Sequence, residues 1–303
     1  MSTTATLATG APTELRRIDA AAWEGEPLLR HREGAQLAVE QGHVLHFLQM
    51  PFVLSETERQ LLDPALADPK RKNISLEPDG RMLRGVIGPQ GVQDAVTGLI
   101  ARFQRHAASL VDTLFPSYRG HLTVAPASLR LHAVEHRHTS WRQDDSRLHI
   151  DAFPSRPMHG DRILRVFLNL NPRGEPRVWR VGETFESVAE RFLPQLPPYR
   201  PWMAGLLDRV GLTKRRRTPY DHLMLGLHDA MKADLDYQRD CAQQTARFEP
   251  GSAWVCFSDQ TSHAVMSGQH MLEQTFFVTV DAMAHPRHAP LKVLERLSGT
   301  SLL

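Results

Sequence analysis

Between residues 92 and 115, apolar side chains recur every three or four positions. Val96, Leu99, Ile100, Phe103, Ala107, Leu110, Val111 and Leu114 fall on one stripe, which predicts a long amphipathic helix. Upstream, 44–48 reads as a strand, and Ser55 with Glu58 forms a capping box opening a short helix. From about residue 126 the period changes to two. Strands are predicted at 128–133, 148–153, 163–170 and 177–181, then at 254–257, 263–265 and 274–280. A helical insertion, about 183–247, separates the two groups. Its last helix opens with Thr218 as N-cap and Pro219 at the first position. Residues 1–40 read as a polar, partly helical arm, leaving 41–303 as one domain. The pattern predicts an α+β fold whose core is a jelly roll, or double-stranded β-helix, with helices packed around it.

The 303 residues, 41% hydrophobic and 23% charged, suffice for one large core. Two cysteines, Cys241 and Cys256, are too few for a disulfide framework, so a reducing, cytoplasmic compartment is expected. No apolar leader and no membrane-spanning stretch is expected either. Net charge is only +2, yet basic residues cluster at 70–72 and 214–217. Each run reads either as a solvated loop or as a contact for an anionic lipid or glycolipid. Aromatic residues are not interleaved with these charges, so nucleic acid is not an expected partner.

Three His-x-acid pairs occur: His31/Glu33, His149/Asp151 and His159/Asp161. Only the middle one lies in a strand-like pattern, with apolar Leu148 and Ile150 alternating against it. Alternation puts His149 and Asp151 on one face. His263 follows Asp151 after 111 intervening residues, between a polar turn and a strand. Two histidines and a carboxylate form the facial triad that holds ferrous iron and leaves positions open for a co-substrate and dioxygen. A hydrolase using zinc-bound water, or a non-enzymatic jelly-roll binding protein, are the alternatives.

The common bidentate co-substrate is 2-oxoglutarate, usually anchored by a basic residue on the strand after the second histidine. Here Gln274 stands about there, and no Lys or Arg occurs between His263 and Arg287. Other strands carry Arg130, Arg165 and Arg177 among apolar neighbours, with Trp179 on the face of Arg177. Each arginine reads as surface-facing or as ligand-binding. Together they point to a pocket for more than one carboxylate, with Trp179 as an apolar wall or N–H donor. His228 shares a stripe with Met224, Leu225, Met231 and Leu235 on a helix expected over 219–236. A satisfied core histidine and an imidazole assisting the metal are both open readings.

With its His-x-Asp, 111-residue spacing, helical insertion and strand arginines, the chain resembles the Kdo hydroxylases from about residue 40 to 290. The resemblance implies a jelly-roll enzyme using Fe(II), 2-oxoglutarate and O2. Its substrate would be 3-deoxy-D-manno-oct-2-ulosonic acid (Kdo) on a Kdo–lipid A precursor, hydroxylated at carbon 3 to give Ko. It further implies peripheral association with the cytoplasmic face of the bacterial inner membrane. By position it makes His149, Asp151 and His263 the iron ligands. Arg130, Arg165, Arg177 and Trp179 become the 2-oxoglutarate site, and His228 the residue assisting oxygen activation.

Overall fold

The Gln90–Leu114 helix buries the stripe its sequence predicts, from Val96 through Phe103 to Leu114. A computed structural model describes residues 11–134 and 140–303. Strands β1 (Leu15–Ile18), β2 (Val44–Phe47), β3 (Ile74–Leu76) and β4 (Leu83–Arg84) precede this helix. Next come β5 (Leu122–Val124), β6 (Ala127–Arg130), β7 (Arg162–Asn169) and β8 (Arg177–Val181). After the helical stretch follow β9 (Gln244–Phe248), β10 (Ala253–Phe257), β11 (His263–Ser267) and β12 (Met271–Val278).

They form two sheets. The larger runs β1-β2-β10-β7-β12-β6-β3-β4, with β5 also on β12, and the smaller runs β11-β8-β9. Alternation along the large sheet gives each of its faces buried apolar residues. Leu164, Val166 and Leu168 of β7, with Leu272 and Phe276 of β12, pack against the long helix. On the other face Phe167, Trp254, Cys256 and Met271 meet Trp179, Val181, Ala246 and Phe248 of the small sheet. Trp254 stacks on Phe167 at 5.1 Å and on Phe248 at 4.1 Å, between the sheets. Burying each such side chain contributes about 1.5–3 kcal/mol, and Trp254→Ala would cost about 3–5 kcal/mol. This is the expected jelly-roll sandwich with helices on its outer face.

Four expectations change. The first ten residues of the expected arm lie outside the described residues, but the rest is built into the body. β1 pairs in parallel with β2, and Ile18, Trp23, Leu28 and Val39 are buried. The insertion's helices end at Asp240, because Gln244–Phe248 pairs with β8. The helix carrying His228 stops at Ala233, where Asp234 caps the next one, so Leu235 points to solvent rather than along the stripe. The fourth change concerns 148–153, which is not a regular strand. The Leu148 backbone N–H donates to Gln238 Oε1 at 2.7 Å, and its carbonyl accepts from Gln238 Nε2 at 2.9 Å. A side chain thus takes the place of a neighbouring strand on one side. On the other, only His149 and His263 exchange backbone hydrogen bonds as a pair, at 3.0 and 2.9 Å.

Candidate metal centre and its cavity

That single bridge brings the predicted ligands together. One ligand atom from each of His149, Asp151 and His263 lies within 4.8 Å of the others. Asp151 is placed by its backbone N–H, which donates to the Ser258 carbonyl at 2.8 Å. His149 Nδ1 sits 2.8 Å from the Arg147 carbonyl, and His263 Nδ1 2.8 Å from the Thr261 carbonyl. A carbonyl only accepts, so each Nδ1 carries the proton and each Nε2 keeps a lone pair for a metal. Burial lowers the pKa of both histidines, which favours the neutral, ligating form. For Asp151 burial opposes the charge, but the Arg165 guanidinium beside it outweighs burial and holds the carboxyl well below the usual carboxylate range.

Behind the ligands stands a rigid layer. Trp179 stacks on the His263 ring at 4.9 Å, joining it to the aromatic core between the sheets. Arg165 reaches Asp151 at 3.2 Å and Glu273 at 3.3 Å, and Glu273 also pairs with Arg130. Arg130 and Arg177 line a cavity of about 1390 Å³ in front of the ligands, together with His149, Asp151 and His228. Arg177 donates to the Gly268 carbonyl at 3.2 Å. His228 meets the His149 ring edge-on at 5.4 Å, and burial, then Lys232, lowers its pKa to about 4. All eight expected site residues therefore converge. Four line the cavity directly with Arg177, while Arg165 and Trp179 stand one layer back and His263 closes the ligand set.

A family profile described as 3-deoxy-D-manno-oct-2-ulosonic acid (Kdo) hydroxylase matches residues 23–301. This chain belongs to the Kdo hydroxylase family. An apo structure of the Kdo hydroxylase KdoO, a non-heme Fe(II) α-ketoglutarate-dependent dioxygenase, is 43% identical with a TM-score of 0.92. It covers 96% of this chain and 97% of its own. A structure of KdoO with α-ketoglutarate and Fe(III) is 42% identical, TM-score 0.91, covering 96% and 98%. A third, with cobalt(II), is 43% identical, TM-score 0.92, covering 96% and 97%. Curated proteins give no match.

The residues present fit the groups these Kdo hydroxylases bind. Two neutral imidazoles and one carboxylate suit a divalent iron. Three guanidinium groups face two carboxylates, so an added divalent ion leaves the pocket strongly positive, as a dicarboxylate requires. The Trp179 indole N–H, Arg130 Nε and Arg165 Nε are buried donors with no hydrogen-bond partner. Such donors cost stability unless a ligand accepts from them.

The residue facing this pocket from β12 is Glu273, not Gln274. Gln274 lies on the opposite face, where its amide donates to the Ala125 and Thr275 carbonyls at 2.8 Å. Strand alternation with core residues Leu272 and Phe276 would have found this. Sequence reasoning also missed Lys232, a fully buried ammonium on the cavity wall. It donates to the Arg142 carbonyl at 3.0 Å and lies 3.7 Å from Asp145. Its signal was its place four residues after His228, on the same helix face. The basic run 70–72 lines the cavity mouth, where Lys72 bridges to Asp145 at 3.0 Å.

Proposed function

We propose that this protein hydroxylates carbon 3 of Kdo on a Kdo–lipid A precursor, giving Ko, with Fe(II), 2-oxoglutarate and O2. One observation carries the reading: a His149–Asp151–His263 ligand set at the floor of an arginine-walled cavity, in a chain 43% identical to KdoO. Iron with 2-oxoglutarate and dioxygen supplies the oxidising power, the co-substrate leaving as succinate and carbon dioxide while one oxygen enters the sugar C–H bond.

The chain's own residues do the rest. His149 and His263 offer Nε2 lone pairs held in place by backbone carbonyls, and Asp151 offers a carboxylate anchored by Arg165. Arg130, Arg165 and Arg177 offset the charge of 2-oxoglutarate, with Glu273 fixing the spacing of the first two. The Trp179 N–H is a further donor to it. Neutral His228, beside His149 on the cavity wall, would offer a lone pair or an N–H to a molecule held next to the ligand set. The sugar enters through the mouth between 69–72 and 140–146.

The acyl chains of such a substrate stay in a bilayer, so the enzyme works peripherally at the cytoplasmic face of the inner membrane. No helix among the described residues is long and apolar enough to cross a membrane. Mass spectrometry of a Kdo–lipid A substrate tests the reaction. The expected result is a gain of one oxygen, matched by succinate and dependent on both Fe(II) and 2-oxoglutarate. Metal-dependent cleavage without succinate would replace this reading with a hydrolase, and no turnover with a binding protein.

A further inference from the structure

Fourteen large hydrophobic side chains are exposed among the described residues, and five of them crowd into 202–212. Along the Pro201–Arg209 helix, Ala204 faces inward. Trp202, at 64% exposure, and Leu206, at 51%, lie four residues apart on the outer face. Val210 (58%) and Leu212 (63%), just past the helix end, are exposed as well. Scattered exposed apolar residues are ordinary, whereas a contiguous patch of this kind marks a docking surface.

Charge says what docks there. Residues 200–217 hold six basic side chains and one acid, Asp208, in a chain whose overall net charge is +2. An apolar helix face bearing a tryptophan and rimmed by Arg and Lys matches the boundary between headgroups and acyl chains of an anionic bilayer. The rim is also fastened to the active site. The Lys214 backbone N–H donates to the Ser155 carbonyl at 2.8 Å, and the Arg217 guanidinium donates to the Pro154 carbonyl. Pro154 lines the large cavity, three residues beyond Asp151.

We propose that the outer face of the 201–212 segment inserts into the anionic leaflet, with the 214–217 run against the headgroups, presenting the cavity to membrane-borne sugar. This inference rests on the functional reading above, to which it adds the surface that meets the lipid. The sequence pointed only to the basic run. In the structure the guanidinium groups of that run partly serve to brace the 154–157 loop, and the apolar face beside it carries the insertion.

The test uses the full-length, iron-loaded protein. Wild type should cosediment with vesicles containing phosphatidylglycerol and much less with phosphatidylcholine alone, and salt should weaken binding. Trp202→Asp with Leu206→Asp should lower the bound fraction about tenfold or more while the melting temperature is kept. Turnover on an acyl-free Kdo glycoside should be unchanged. Brominated lipid should quench fluorescence in wild type, and Trp202→Phe should lose that quenching. Vesicle binding equal in wild type and double variant would overturn the proposal. So would a wild-type oligomer that the substitutions dissolve without affecting vesicle binding. If wild type never hydroxylates the glycoside, the reaction reading falls, and cosedimentation still decides the surface by itself.

Discussion

The floor and the mouth of the cavity are built from opposite materials. At the floor, ligand side chains are buried and each is tied to a carbonyl, a guanidinium or an aromatic face. At the mouth, Lys72 and Asp145 pair across an opening with both side chains partly in water, and Arg142 pairs with Asp229 on an exposed edge. A buried, hydrogen-bonded set has few alternatives to its observed geometry, which is what a metal with fixed coordination needs. An exposed pair loses little when it opens, which is what a site admitting a charged sugar needs. The same residue types thus preorganise chemistry at one end and admit substrate at the other.

Breaking the floor should have the largest effect. Asp151→Ala removes one of three ligands, so bound iron measured by metal analysis should fall to background and turnover should vanish, with far-UV circular dichroism retained. Wild-type iron content in this variant would show that the triad is misassigned. Next comes Arg165→Ala, which leaves Asp151 and Glu273 without their shared cation. Urea unfolding should report a loss of about 3–5 kcal/mol, accompanied by a raised 2-oxoglutarate requirement. Unchanged stability would mean that the layer behind the ligands is not rigid in the way described.

Smaller effects sharpen the contrast. His228 touches a ligand without being one, so His228→Ala should slow turnover about 10–100-fold, leaving iron content and the KM for 2-oxoglutarate near wild type. A matching loss of iron would instead make it part of the metal's support. Lys72→Ala, at the mouth, should change stability by no more than about 1 kcal/mol and raise the KM for the anionic sugar without lowering kcat. Equal shifts in kcat and KM would move Lys72 from the entrance into the reaction itself.

The legible parts of this molecule were those with a strong local period. The 92–115 stripe, the β7 and β12 strands and the Thr218–Pro219 helix start lie within a residue or three of where hydrophobic alternation and capping put them. His149, Asp151 and His263 were legible as a set because an apolar alternation frames two of them and a polar turn precedes the third. What escaped was decided by distant partners. The 148–153 segment looks like a strand by composition, but its backbone is claimed by Gln238, ninety residues away. Glu273 was overlooked because its importance comes from Arg130 and Arg165 on two neighbouring strands. Lys232 sits where a helix stripe would place an apolar residue, and only the folded cavity gives its charge Asp145 and the Arg142 carbonyl.

Gln238 has a consequence for how such enzymes can be recombined. Its amide clasps the backbone of Leu148, the residue before the first ligand, and also donates to the Met231 carbonyl at 2.8 Å. The helical stretch between the two halves of the jelly roll is therefore no exchangeable ornament. A chimera that borrows a relative's segment ending before Gln238 keeps the clasp, and its swapped surface is read in isolation. One that crosses over beyond Gln238 brings in a foreign clasp, and the native barrel must then accept it before any iron can be held.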